Sequence, residues 1–148
     1  MLGVKMEGEI IRTDGRTITE TDLVFFSYFS GDWAYLHTDA VLAEKSAFKS
    51  RITHGYLTLS VSLGLVVRKT GIDPERFVAL RSIRNVSFFL PVRIGDTLHV
   101  DFTVERVEKE GNRIEAMIIG KTINQRKEVV MTFETIHLEN KPAGDPTK

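Results

Sequence analysis

The sequence predicts an α+β domain in which an antiparallel sheet packs against one buried helix. The first observation is the segment 55–69, which is apolar on nearly every side and is therefore typical of a buried helix. The second is the C-terminal half, where strand-like segments follow one another with short turns, a pattern that favours antiparallel pairing. Helices followed by a run of strands are an α+β order, and 148 residues fit one domain with a sizeable core.

The N-terminal part predicts one helix over residues 20–30. Thr19 is a typical N-cap residue, with Asp22 three positions later, and Gly31 is a typical residue to end the helix. The side of this helix that faces the core is expected to carry three residues: Leu23, Phe26 and Tyr28.

The segment 31–39, GDWAYLHTD, is polar and irregular, so it is predicted to be a loop. Asp39 is expected to open a short helix that runs to Glu44 or Lys45. The apolar helix over 55–69 follows, and Gly71 is expected to end it.

Four strands are predicted after this helix, over residues 77–90, 97–108, 113–123 and 128–138. In the second of them Leu98, Val100, Phe102 and Val104 alternate with polar residues, which indicates one buried face. Residues 1–140 are predicted to form a single domain, and residues 141–148 a polar C-terminal tail.

The composition excludes several classes of function. The 20 basic and 20 acidic side chains balance, which argues against a nucleic-acid partner. The sequence has no cysteine, so disulfides, thiolate catalysis and cysteine zinc sites are excluded. The four histidines have no metal-ligand spacing such as HExxH, so no metal is expected. The chain shows no signal core and no run of eighteen apolar residues, so we expect no membrane span and a cytoplasmic location.

Asp32 and His37 are the first candidates for catalysis. They stand five residues apart in an irregular segment that can curl and bring both side chains together. A carboxylate beside a histidine can hold a water molecule and remove its proton. Taken alone, the pair also fits a simpler interpretation, in which Asp32 caps a turn and His37 is an exposed loop residue.

The tripeptide Thr53-His54-Gly55 at the start of the apolar helix is the second candidate. The first backbone N–H groups of a helix have no partner inside it and lie at the positive end of its dipole. Gly55 would let a ligand approach these groups closely, so they could polarise a carbonyl that gains negative charge. In the alternative, Gly55 serves only a tight turn of the backbone and Thr53 caps the helix.

Several basic residues could meet a phosphate-bearing ligand, since the planar guanidinium of arginine suits phosphate. More often such residues form a solvated face. They are Arg51, Arg68, Lys69, Arg81 and Arg84. The remaining histidines, His99 and His137, occupy polar positions of predicted strands and are expected at the surface.

These motifs together resemble the signature of MaoC-like, (R)-specific enoyl-CoA hydratases. That family shows a GDxNPxHxD segment, a short helix, a phenylalanine and an (I/V)xHG segment that opens the central helix. The resemblance spans roughly residues 20–105. Its matching residues are Gly31, Asp32, His37, Asp39, Phe48, Ile52, His54 and Gly55, followed by Val86-Ser87-Phe88, Pro91-Val92 and Gly95-Asp96.

The resemblance implies a hot-dog fold, in which a curved antiparallel sheet wraps a long central helix. It implies a homodimer or a dimer of dimers joined at sheet edges. It also implies that Asp32 and His37 activate water for addition to a trans-2-enoyl thioester, or catalyse the reverse dehydration, while the N–H of Gly55 binds the thioester oxygen. No cofactor is expected beyond the coenzyme A or acyl-carrier part of the substrate. Further substrate-binding residues are expected at His54, Trp33, Tyr35, Ser62 and Arg84.

The chain departs from the family pattern beside the candidate pair. Ala34-Tyr35 replaces the family's Asn-Pro, so the asparagine amide that can help to fix the loop or the water is missing. Trp33 and Tyr35 are expected to reshape the acyl pocket. A serine on the central helix lines the site in some members, and here Leu63 takes its place with Ser62 adjacent.

Two other functions remain open. An acyl-CoA thioesterase of this fold usually carries its acid on or near the central helix, whereas residues 55–69 contain no Asp or Glu. A non-catalytic module that binds acyl thioesters is the other alternative. The missing asparagine favours it, and the presence of both Asp32 and His37 opposes it.

Overall fold

The computed structural model describes residues 8–142. The elements in chain order are β1 (Ile11–Arg12), β2 (Arg16–Thr17), α1 (Glu20–Ser30), α2 (Tyr35–Thr38), α3 (Ala40–Lys45), α4 (Gly55–Thr70), β3 (Phe77–Phe88), β4 (Thr97–Lys109), β5 (Arg113–Ile123) and β6 (Val129–Asn140). The strands pair antiparallel in the order β1-β4-β5-β6-β3, and β2 also pairs with β4. The predicted α+β class is confirmed, and the four long strands lie where the sequence pattern placed them.

Helix α1 begins and ends as predicted. The Thr19 N–H donates to the Asp22 carboxylate at 2.8 Å, and Gly31 has a left-handed φ of 76°. Leu23 is buried, but the prediction that Tyr28 faces the core is wrong, because its side chain is 79% exposed. Five residues at 3.6 residues per turn place Tyr28 on the far side of the helix from Leu23.

The prediction that residues 31–39 form a loop is partly wrong, because α2 makes one helical turn inside that segment. The turn is held by side chains, since the Asp32 carboxylate accepts the Ala34 N–H at 3.1 Å and the Thr38 hydroxyl donates to the Ala34 carbonyl at 3.1 Å. One turn is too short to show a helical period in sequence. The predicted cap of α3 is confirmed, with Asp39 accepting the Leu42 N–H at 2.9 Å.

Helix α4 packs its apolar side against the sheet and forms the core with it. The predicted alternation in β4 is confirmed, because its four apolar residues are all at most 1% exposed. Gly120 in β5 lies opposite Phe133 in β6, and a Cβ at Gly120 would lie 2.3 Å from the Phe133 ring. The absent side chain therefore leaves the space that this large aromatic residue fills.

The prediction that His137 is a surface residue is wrong, since it is 7% exposed. Side chains alternate between faces along a strand, and Phe133 points into the core, so Thr135, His137 and Glu139 point inward as well. His99 is half-buried. The inner face of β6 thus continues beyond its apolar residues into polar ones.

Strand β6 ends at Asn140, next to the predicted boundary between domain and tail. That boundary stays a prediction, because residues 143–148 lie outside the described residues. Within residues 8–142, no helix is both long and apolar enough to cross a membrane. The cytoplasmic location also stays a prediction.

Candidate active site

Asp32 and His37 lie close together, as the sequence pattern predicted. Asp32 follows the glycine that ends α1, and His37 lies in the single turn of α2. The His37 Nε2 and the Asp32 Oδ2 are 4.0 Å apart. The His37 side chain is 11% exposed and the Asp32 side chain 40%, so the pair opens toward solvent from the Asp32 side. At this distance one water molecule can bond to both atoms.

The orientation of the His37 ring is set by a backbone carbonyl. Its Nδ1 lies 2.8 Å from the oxygen of Ile52. A carbonyl oxygen only accepts hydrogen bonds, so Nδ1 carries a proton, and the lone pair of the neutral ring is on Nε2. His37 therefore presents a proton acceptor toward Asp32.

His54 contacts both members of this pair from the interior of the protein. It is 1% exposed, and its Nε2 lies 3.2 Å from the backbone oxygen of Asp32 and 3.1 Å from the hydroxyl of Ser27. Its ring stacks on that of His37, with centroids 3.8 Å apart. Burial lowers the pKa of His54, which favours the neutral ring. The predicted contact of His54 with substrate is not supported by this burial, and the side chain instead ties α1 and the Asp32 backbone to the start of α4.

Gly55 is the first residue of α4, as predicted. The N–H groups of the first turn have no partner within the helix. A Cβ at Gly55 would lie 3.1 Å from the ring of Phe88. The ring of Phe88 therefore packs closely against Gly55. Within residues 8–142 the Gly55 N–H has no described hydrogen-bond partner, so it is a candidate donor to a carbonyl oxygen.

The other predicted site residues differ in how they are placed. Ser62 is fully buried, and its hydroxyl bonds to the Thr58 carbonyl at 2.7 Å and to the Thr122 hydroxyl at 2.8 Å, so a contact with substrate is not supported. Trp33 and Tyr35 are 57% and 47% exposed. They belong to the segment that carries the pair.

Arg84 lies in β3 and is exposed. It has no described hydrogen bond or ion pair within residues 8–142. Its predicted contact with substrate stays a prediction. Ser27 was missed as a site residue, because its neighbour His54 is 27 positions away and nothing in the local pattern marks the contact.

An apolar cavity of about 140 Å³ lies between the second half of α4 and the sheet. Its walls combine residues of α4 with residues of β3, β5 and β6. They include Leu63, Val66, Phe77, Leu80, Ile118 and His137.

Three side chains could offer atoms to a metal ion. The oxygen of Asp32 and the nitrogens of His37 and His54 all lie within 4.8 Å of one another. However, the His54 Nε2 donates to the Asp32 carbonyl and therefore carries a proton, so this nitrogen is not free to bind a metal ion. The expected absence of a metal stays a prediction.

Comparisons with known proteins relate the chain to sequences of named function. Residues 4–136 match the family described as the MaoC like domain. The chain is 39% identical over 99 residues to Protein MaoC from Klebsiella aerogenes, which covers 67% of this chain but only 29% of that protein. It is 30% identical over 120 residues to an (R)-specific enoyl-CoA hydratase from Rhodospirillum rubrum, which covers 78% of this chain and 81% of that protein.

Solved structures show the same fold. A monoamine oxidase regulatory protein from Archaeoglobus fulgidus matches with a TM-score of 0.86 and 34% identity, covering 94% of this chain and 92% of that one. A Mycobacterium tuberculosis protein described as having a double hotdog fold matches with a TM-score of 0.78 and 19% identity, covering 93% and 43%. The predicted hot-dog fold is therefore confirmed, and the chain belongs to the MaoC-like domain family.

Proposed function

We propose that the chain hydrates trans-2-enoyl thioesters to (R)-3-hydroxyacyl thioesters and catalyses the reverse dehydration. The observation that carries the proposal is the pairing of the free Nε2 of His37 with the Asp32 carboxylate, 4.0 Å away. The sequence similarity to an (R)-specific enoyl-CoA hydratase supports it.

The first step is the addition of water at C3 of the substrate. The water oxygen forms a bond to C3 while the His37 Nε2 takes one of its protons. Asp32 accepts the second hydrogen bond of the water and stabilises the charged imidazole. The electron pair of the double bond moves toward the thioester oxygen and forms an enolate.

The N–H of Gly55 is suited to stabilise that enolate, because the unpaired donors and the dipole of a helix start favour negative charge. The enolate collapses when C2 takes the proton back from the His37–Asp32 pair. Water has then been added as a whole, and both side chains return to their first state. Dehydration uses the same steps in reverse.

The apolar cavity beside α4 is suited to the end of the acyl chain. A rise of 1.5 Å per residue places Leu63 about 12 Å along the helix from Gly55. A medium-length chain that starts at Gly55 and follows the helix would reach the cavity. Apolar cavities of this size stay dry and take hydrocarbon groups.

We also propose that two copies pair through β3, since the family resemblance implies a dimer joined at sheet edges. This strand is an edge of the sheet and exposes several apolar side chains. A long, free apolar edge strand favours pairing with another chain. The exposed residues on β3 are Val78, Leu80, Ile83 and Phe88, and Phe89 and Leu90 follow directly after the strand.

Incubation of the purified protein with crotonyl-CoA tests the proposed reaction. A hydratase consumes the enoyl absorbance without releasing free thiol, and this is the expected result. Release of thiol would indicate a thioesterase instead. No change in either signal, with crotonyl-CoA bound, would indicate a non-catalytic binding module.

A further inference from the structure

We propose that a basic cleft beside the candidate active site binds the phosphate of the thioester carrier. The proposal rests on the proposed function and names the part of the substrate that lies outside the acyl pocket. The cleft has a volume of about 380 Å³ and lies between α3, the segment that follows it and the turn after Val92. Its charged lining consists of Lys49, Arg51, Arg93 and Glu44.

The charges of the lining favour an anion, because three cationic side chains meet one carboxylate. Arg51 is already paired, since its guanidinium makes two bonds of 2.8 and 2.6 Å to Glu20. Lys49 and Arg93 have no carboxylate partner within residues 8–142. Lys49 and Arg93 thus make no described ion pair, and together with Glu44 they leave the lining with one net positive charge.

Arg93 can hold the cleft together and still bind a ligand. It donates to the Ser50 hydroxyl and, at 2.8 Å, to the Phe48 carbonyl. A guanidinium has five N–H groups, so these two bonds leave donors for a phosphate oxygen. Both occupied bonds fix the segment that carries Lys49.

The backbone of Lys49 is unusual. Its φ is 58°, a left-handed conformation that is uncommon outside glycine, asparagine and aspartate. The Lys49 N–H donates to the Ser46 carbonyl at 3.2 Å, which closes the turn. Lys49 thus occupies a position where a glycine would fit the backbone more easily. Its side chain lines the cleft.

The cleft adjoins the candidate catalytic pair. Arg51 precedes Ile52, whose carbonyl oxygen bonds to His37, and Arg93 follows Val92, whose carbonyl oxygen accepts the Thr53 N–H at 2.7 Å. Two residues of the cleft lining are therefore chain neighbours of residues that hold His37 and the start of α4. The long pantetheine arm of a thioester can connect the two places.

The test compares crotonyl thioesters of coenzyme A, of acyl-carrier protein and of pantetheine, which has no phosphate. We expect Lys49→Gln to raise the KM for a phosphate-bearing substrate about threefold and to leave the KM for crotonyl-pantetheine unchanged, the size expected for one exposed ion pair. Lys49→Arg should keep the wild-type KM. Lys127→Gln is the matched control, because Lys127 is also an exposed lysine with a left-handed φ, of 65°, but does not line the cleft.

If Lys49→Gln raises the KM for only one of the two phosphate-bearing substrates, that substrate, coenzyme A or carrier protein, is the source of the phosphate. An unchanged KM for both, or an equal rise for crotonyl-pantetheine, would overturn the proposal. Calorimetric titration with coenzyme A, with the holo form of acyl-carrier protein and with pantetheine separates this proposal from the reaction itself. If no substrate is hydrated but Lys49→Gln weakens the binding of coenzyme A or of the carrier protein and not that of pantetheine, the phosphate site is supported and the proposed reaction is refuted. If Lys49→Gln binds both phosphate-bearing ligands as tightly as the wild type, the phosphate site is refuted.

Discussion

The rings of His37 and His54 stack with their centroids 3.8 Å apart, so the candidate base rests on the residue that precedes α4. His54 also bonds through Nε2 to the backbone of Asp32. The loop that carries the catalytic candidates and the helix start that carries Gly55 are therefore one connected unit. A displacement of His54 would move the base and the carboxylate relative to the oxygen of the substrate.

We expect His54→Phe to keep the stacked ring but to lower kcat about tenfold, because the Asp32 backbone loses its bond and small misplacements of catalytic groups are costly. The buried Ser27 hydroxyl and the Asp32 carbonyl would lose a partner, which costs about 1–3 kcal/mol in the free energy of unfolding. Ser27→Ala should lower kcat less. Steady-state kinetics and urea unfolding measure both effects, and a wild-type kcat in His54→Phe would refute the positioning role.

Much of the fold could be predicted because regular patterns encode it. The alternation in β4 and the long apolar run of α4 are local patterns that the sequence shows directly. The bonds around the candidate site have no such period, since Ser27 meets His54 and Ile52 meets His37 only after the chain has folded. The burial of His137 was missed because its polarity suggested the outer face, whereas the register of β6 turns it inward.

Gly55→Ala tests whether the reaction needs the backbone N–H at the start of α4. The new Cβ would lie 3.1 Å from the Phe88 ring, so the ring or the start of α4, with its N–H, has to shift. We expect kcat to fall by about a hundredfold, similar to the loss of one oxyanion donor, while the melting temperature changes little. Gly64→Ala is the control, because a Cβ there meets no atom within 4 Å. Equal activity of Gly55→Ala and Gly64→Ala would contradict the assignment.

The buried His137 predicts a loss of stability in acid. Burial lowers its pKa to about 4, below the ordinary value of 6.5. Between these two values the unfolded chain holds more protons, so the free energy of unfolding falls as pH falls, by up to roughly 1.4 kcal/mol per pH unit. Urea unfolding of His137→Gln between pH 6.5 and 5 should show a shallower pH dependence than the wild type. Parallel curves in this range would show that His137 does not carry the effect.

The exposed edge of β3 is expected to determine the oligomeric state of the protein. Ile83 is 42% exposed on this strand, and Ile83→Lys would place a charge in the proposed contact between two copies. We expect this variant to shift the molecular mass measured by light scattering from dimer toward monomer. Val107→Lys is the control, since Val107 is 52% exposed on β4. A monomeric wild type, or an Ile83→Lys dimer of wild-type strength, would argue against pairing through β3.

The hydration of crotonyl-CoA by Asp32→Asn and His37→Ala tests the central claim most directly. Each change removes one member of the proposed acid–base pair, so we expect kcat to fall by about a hundredfold to ten-thousandfold, with the fold unchanged by circular dichroism. Asp39→Asn should retain the wild-type rate, because asparagine can still cap α3. Loss of enoyl absorbance at the wild-type rate in either Asp32→Asn or His37→Ala would contradict the account.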